Sequence, residues 1–178
     1  MRKQYLIITG IVILLLTGCH RTRPQAPSNK HIETDSAAVE MMMLNYHLAE
    51  AADADLVRYI KNAIDTLSAG QSQLPYTLSQ WGFWYKTLQK TDRPRLTNGQ
   101  TVNISMQIYT LSGTLVLDTE ETVEIGKRQV LMAVEQMLPM MREKEQAEVL
   151  SPWYLGYGST ETENVPPYTN LQILIEVL

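Results

Sequence analysis

The 178-residue sequence is short of the residues that build cross-links and phosphate sites. It holds one cysteine, so an intramolecular disulfide cannot form and zinc sites made of several thiolates are excluded. Lys and Arg number 15 against 19 Asp and Glu, a formal net charge of −4. That leaves no bulk positive field to hold nucleic acid. No glycine-rich loop has the spacing that cradles phosphates. One Phe stands beside nine Tyr and three Trp, so a cavity walled by phenylalanines cannot be built. No apolar run reaches the roughly 20 residues that a membrane-spanning helix needs.

Against these absences, 44% of the residues are hydrophobic, enough for a packed core and against wholesale disorder. The chain opens with Arg2 and Lys3 followed by the apolar residues 5–16, the length of a signal-peptide core. It continues Leu16-Thr17-Gly18-Cys19, which resembles a bacterial lipobox, and the single Cys sits where lipidation needs its thiol. Residues 1–18 are therefore expected to be a lipoprotein signal peptide, with Cys19 as the lipidation site. Each buried CH₂ of the acyl chains adds about 0.8 kcal/mol of anchoring. The expected location is the cell envelope, lipid-anchored, on the periplasmic side of the outer membrane. Such a compartment is short of ATP, which argues against an ATP-driven activity. Residues 19–35 are polar with two prolines and read as a flexible tether. Its Arg21, Arg23 and Lys30 read as solvated rather than as headgroup contacts.

Residues 36–72 read as a helical segment. No Gly or Pro interrupts 36–67, and Val39, Met42, Met43 and Tyr46 fall at helical spacing, as do Leu56, Ile60, Ala63, Ile64 and Leu67. Asp53 and Asp55 either cap a second helix or lie within one long helix. Ser68-Ala69-Gly70 ends the run. Of Met41, Met42 and Met43, one or two are expected to be plain packing, since consecutive residues face different sides of a helix. Beyond Gln71 the period falls to two. Strands are expected at 83–88, 100–109, 115–118, 122–125, 146–150 and 171–178. The clearest has Val102, Ile104, Met106 and Ile108 alternating with Asn103, Ser105 and Gln107. Val130, Leu131, Val134 and Leu138 mark one short helix that Pro139 stops. The fold class is α+β: an antiparallel sheet wrapped around one short helix, preceded by an α-helical segment.

Four motifs in the C-terminal half carry a resemblance. Gly126-Lys127-Arg128-Gln129-Val130-Leu131 leads into the short helix, and Met140-Met141-Arg142-Glu143-Lys144-Glu145 leaves it. Pro152-Trp153-Tyr154-Leu155-Gly156-Tyr157-Gly158 follows, then Val165-Pro166-Pro167 before the last strand. In this order and spacing they resemble the FKBP family of peptidyl-prolyl cis-trans isomerases across residues 80–178, with the domain placed at 78–178. Together with the lipobox and helical spacer, the whole is similar to the lipoprotein isomerases associated with gliding motility.

The resemblance implies rotation of X–Pro bonds in an apolar pocket, with no cofactor and no metal. It places Tyr157 as the hydroxyl donor to the substrate carbonyl. Asp118 takes the place of the pocket acid only through a one-residue insertion, with Leu117 then in the place of a pocket Phe. Val130 and Leu131 take the places of pocket aliphatics. Val134 stands where the family has a Trp, Met106 where it has a Tyr, and Ile173 and Glu121 where it has Phe. The expected substrate-binding set is Leu117, Val130, Leu131, Val134, Ile173 and Met106, with Tyr157 and Asp118 catalytic. Expected partners are proline-containing exported polypeptides, whose folding the activity assists, the bilayer through acylated Cys19, and a second copy through the helical segment. No nucleic acid is expected. A pocket short of aromatics also suits a binding module without catalysis, a holdase or an envelope assembly factor. Read from the residues alone, the pocket role of Tyr157 is favoured over a turn tyrosine capping the backbone, Asp118 is equally a turn or surface acid, and Trp153 and Tyr154 are either a partner-binding loop or packing beneath it. Trp81 and Trp84 read as core or strand-face residues. His31 and His47 lack ligand partners at metal-site spacing and read as surface residues.

Overall fold

A run without glycine or proline carries the first element, α1 (Ser36–Thr66), as one unbroken helix. Asp53 and Asp55 lie inside it and cap nothing. The computed structural model describes residues 36–66, 76–162 and 164–178. The leader, Cys19, the tether with His31, and Ser68-Ala69-Gly70 lie outside the described residues. Residues 39–178 form one compact unit. No helix among the described residues is long and apolar enough to cross a membrane.

The strands are β1 (Thr77–Leu78), β2 (Trp84–Gln89), β3 (Thr101–Thr110), β4 (Leu115–Glu124), β5 (Gln146–Ser151) and β6 (Leu171–Val177). They form one antiparallel sheet in the order β1-β2-β5-β6-β3-β4. The short helix α2 (Met132–Met137) continues as a 3₁₀ turn, Leu138–Met140. Pro139 fits in that turn because its missing N–H falls where no intrahelical partner is needed. Val130 and Leu131 precede the helix instead of belonging to it, and Leu131 is extended at φ −54° and ψ 145°.

Two differences from the sequence expectation have physical causes. The segments 115–118 and 122–125 are one strand, since β4 pairs with β3 without a break from Leu117 to Glu124. The stretch Thr119-Glu120-Glu121-Thr122 lacks apolar alternation because β4 is a sheet edge, where polar residues are tolerated. The second difference concerns α1. Met41, Met42, Met43 and Tyr46 are all more than half exposed, while Leu56 and Ile60 are fully buried. Only the second half of the helix has a surface to pack on.

That surface is the outer face of the sheet. The inner face packs on α2 through Ile104, Met106, Ile108, Val149, Ile173 and Ile175 with Val134, Met137 and Leu138. On the outer face, Leu56 and Ile60 meet Tyr76 and Leu150, edged by Tyr59, Trp84 and Leu111. β5 is consequently covered on both sides, and Ala147 to Ser151 are all buried. β6 alternates strictly between buried and half-buried positions.

The double cover forces a charge indoors. Glu148 on β5 is 5% exposed. Its carboxylate accepts from the Tyr76 hydroxyl at 2.6 Å and the Gln172 amide at 2.8 Å, and pairs with Lys86 Nζ at 2.6 Å. Lys86 also donates to the Tyr76 oxygen at 2.9 Å. Burial, then the bond to Glu148 and its charge, raises the Tyr76 phenol well above the ordinary tyrosine value, so it remains a donor. No buried side-chain nitrogen or oxygen among the described residues is left without a partner, which removes the desolvation cost of about 1–3 kcal/mol per orphaned group.

If α1 is stabilised through its second half, Leu56→Ala lowers the unfolding free energy by about 2–5 kcal/mol. Met42→Ala in the exposed half changes it by less than about 0.5 kcal/mol. Urea unfolding of the two full-length variants checks this, and equal effects would disprove the division of the helix.

Candidate active site

Between the inner face of β3 and β4 and the segment entering α2 lies a cavity of about 360 Å³. Met106 and Ile108 come from β3, and Leu117 and Glu121 from β4. Gln129, Val130, Leu131 and Met132 form a second wall, and Gly156 and Tyr157 a third. The alternation of β3 and β4 places these walls: Leu117 lies opposite Ile108 and Glu121 opposite Ile104, all on the inner face.

The second wall is held by a turn. After Gly126 (φ 96°), the chain reverses through Arg128 (φ 54°). The buried carboxylate of Glu135 on α2 accepts the Gly126 N–H at 2.6 Å, and Gln129 Oε1 accepts the Glu124 N–H at 2.7 Å. These bonds tie the lead-in of α2 to the end of β4 and aim Val130 and Leu131 at the cavity.

The third wall is held by α1. A 3₁₀ turn, Trp153–Leu155, precedes Tyr157. The indole N–H of Trp153 donates to the Leu48 carbonyl at 3.4 Å, and the Tyr154 hydroxyl donates to Asp53 at 3.0 Å. Asn170 accepts from the Trp153 backbone at 2.9 Å and donates to the Ala52 carbonyl at 3.2 Å. Trp153 stacks edge-on with Tyr168 at 4.9 Å. Trp153 and Tyr154 are thus packing between the turn and α1. A Cβ at Gly156 would stand 2.8 Å from Leu171 Cδ1, so a larger residue there would force the buried Leu171 side chain to shift.

Tyr157 is half-buried, and its phenol is raised above the ordinary tyrosine value, first by burial and then by the negative charge of Glu121. A raised value keeps the hydroxyl protonated, hence a donor. No hydrogen bond joins that hydroxyl to another described residue, so it is available to a carbonyl in the cavity.

The structure brings Tyr157, Leu117, Val130, Leu131 and Met106 together as expected from the sequence. It does not bring Asp118. Unbroken pairing sets Asp118 opposite Gln107, on the outer face, where it accepts from the Gln107 amide at 3.1 Å. The residue shift in the hairpin falls between Ile108 and Tyr109, ahead of Leu117, so it cannot turn Asp118 inward. Glu121 is the acid at the cavity. Val134 and Ile173 are fully buried in the core and do not line the cavity. Ile108, Gln129, Met132 and Gly156 complete the walls. Ile108 was foreshadowed by its alternation with Met106, whereas the others depend on how the turns fold. Trp81 is exposed and Trp84 edges the outer core. Among the described residues no group of three or more His, Cys, Asp or Glu is placed to hold a metal ion. His47 is exposed, 3.7 Å from Glu50.

Residues 93–178 match the family model of the FKBP-type peptidyl-prolyl cis-trans isomerases. These residues are an FKBP-type isomerase domain. Solved structures share its fold. The peptidyl-prolyl cis-trans isomerase of Pseudomonas syringae pv. tomato str. DC3000 superposes with a TM-score of 0.58 at 14% identity, over 73% of this chain and 93% of that one. AtFKBP13 gives 0.53 at 18% identity, over 57% and 95% respectively. The three FKBP domains of wheat FKBP73 give 0.53 at 20% identity, over 58% of this chain and 48% of that chain. No curated protein matches the sequence. The FKBP-type domain has physical support ahead of residue 93, because β1, β2 and α1 complete its sheet and its outer core.

Because Glu121 contributes to the raised Tyr157 value, Glu121→Gln lowers the pH at which Tyr157 ionises. Alkaline titration of tyrosinate absorbance, with Tyr157→Phe identifying the band, measures the shift. An unmoved band would show that the charge of Glu121 does not reach the hydroxyl.

Proposed function

We propose that the chain is a membrane-tethered peptidyl-prolyl isomerase acting on exported polypeptides. The supporting observation is the unpartnered, protonated Tyr157 hydroxyl on the wall of an apolar cavity in an FKBP-type domain. Rotation of an X–Pro amide is slow because resonance raises a barrier of about 18–20 kcal/mol. A cavity lined by Met106, Ile108, Leu117, Val130 and Leu131 disfavours the charge-separated resonance form. The twisted imide has less charge separation and is destabilised less. Tyr157 holds a substrate carbonyl while the bond turns. No nucleophile, proton transfer or redox step is involved.

Tethering rests on the lipobox-like Leu16-Thr17-Gly18-Cys19. Metabolic labelling of cells with a radiolabelled fatty acid is expected to mark the wild-type chain and not Cys19→Ser. Equal labelling of both would remove Cys19 as the anchor.

Catalysis is tested by cis/trans exchange of a short X–Pro peptide, followed by NMR with the full chain in detergent. Wild type accelerates exchange, and Tyr157→Phe lowers kcat/KM about two- to tenfold, the value of one hydrogen bond. Unchanged exchange in the variant would remove Tyr157 from the mechanism. No acceleration by folded wild type would leave the domain as a binding module for the same peptides.

A further inference from the structure

Of the residues lining the cavity, Glu121 alone carries a charge at neutral pH. It faces inward by register, opposite Ile104. Its carboxylate is exposed, and no Lys, Arg or His lies within ion-pair distance of it among the described residues. A carboxylate at the wall of an apolar cavity loses part of its hydration whenever a peptide covers that wall. A peptide with a neutral side chain there leaves the charge poorly compensated, and one with an acid adds repulsion. A cation on the peptide reverses both effects.

We propose that Glu121 makes this pocket selective for X–Pro bonds in which X is lysine or arginine. The inference rests on the isomerase reading. The placement follows from the shared wall. Tyr157 holds the carbonyl beside the imide, and Glu121 is close enough for its charge to act on the Tyr157 hydroxyl. The side chain of X leaves the backbone next to that carbonyl, and a lysine or arginine stem is long and apolar enough to lie along Leu117 while its head reaches Glu121. Asp118, Glu120 and Glu124 share the strand, but Asp118 lies on the outer face and Glu124 is paired with Lys127 at 3.6 Å. Those three do not line the cavity, so they contribute at longer range and are more readily screened by salt.

The test uses the full chain in detergent and three peptides that differ only in X: Lys-Pro, Gln-Pro and Glu-Pro. Exchange rates and peptide shift titrations are recorded on the same samples at low and at high salt. Wild type is expected to favour Lys over Gln over Glu. The Lys-to-Glu ratio should be about five- to thirtyfold at low salt, the equivalent of one exposed pair gained and one repulsion removed, and should shrink at high salt. In Glu121→Gln the ratio falls to about twofold or less. In Asp118→Asn, changed on the opposite face where salt screens the charge, most of the ratio is kept at low salt and all of it at high salt. Equal handling of the three peptides by wild type would overturn the proposal, as would a ratio retained in Glu121→Gln. If the protein accelerates none of them, the isomerase reading fails separately. The titrated affinities then decide, and equal affinities for Lys-Pro and Glu-Pro overturn the charge selectivity too.

Discussion

The burial of β5 on both faces is the constraint from which the rest of the molecule follows. α2 closes the inner side and the second half of α1 closes the outer side. A strand placed this way cannot keep a polar face toward water, so its polar residue has to find partners indoors. Glu148 does so with Tyr76, Lys86 and Gln172, contributed by the segment before β1, by β2 and by β6. Replacing such a cluster with well-packed apolar groups is often neutral or stabilising, whereas removing one member leaves a buried charge unmatched. The network therefore matters chiefly as a constraint on register: β2 and β6 can flank β5 only where Lys86 and Gln172 meet the carboxylate.

The cavity depends on the same two helices by different routes. α2 aims Val130 and Leu131 through the Glu135 bond to Gly126. α1 holds the turn before Tyr157 through Leu48, Ala52 and Asp53. One wall is braced from inside the sheet and another from outside it. β3 and β4 supply the remaining wall by alternation alone, which explains why a one-position displacement would exchange Glu121 for Glu120 or Thr122 at the cavity.

Strands with one face in the core were legible because their chemistry alternates with their geometry. β3 and β6 show every buried residue as Val, Ile, Leu or Met. β4 was legible only as two separate strands, because an edge strand near solvent carries polar residues on both faces and the pattern breaks in mid-strand. The same ambiguity misplaced Asp118: placing it in the pocket required an insertion, while the backbone retains period two through Leu117, Asp118 and Thr119. Val134 and Ile173 were placed in the pocket by correspondence of position, but both belong to the buried core and neither lines the cavity. One or two of Met41 to Met43 read as packing, and all three are exposed, because hydropathy cannot show where a helix runs out of surface to cover. Nothing in the sequence marks Glu148 as buried, since its partners Tyr76, Lys86 and Gln172 are distant in sequence and each is unremarkable alone.

The recurring family module and the cooperative physical unit do not share a boundary in this chain. A fragment begun at residue 93, where the family match starts, would lack Tyr76, Lys86 and all of α1. Glu148 would keep only Gln172 of its three partners, Leu150 would face water, and the Trp153 turn would lose its tie to Leu48. Such a fragment would place an unmatched carboxylate and an uncovered apolar strip on the middle of a sheet, a surface that invites association with other chains. The residues ahead of the match thus serve as solubilising cover for the domain they precede.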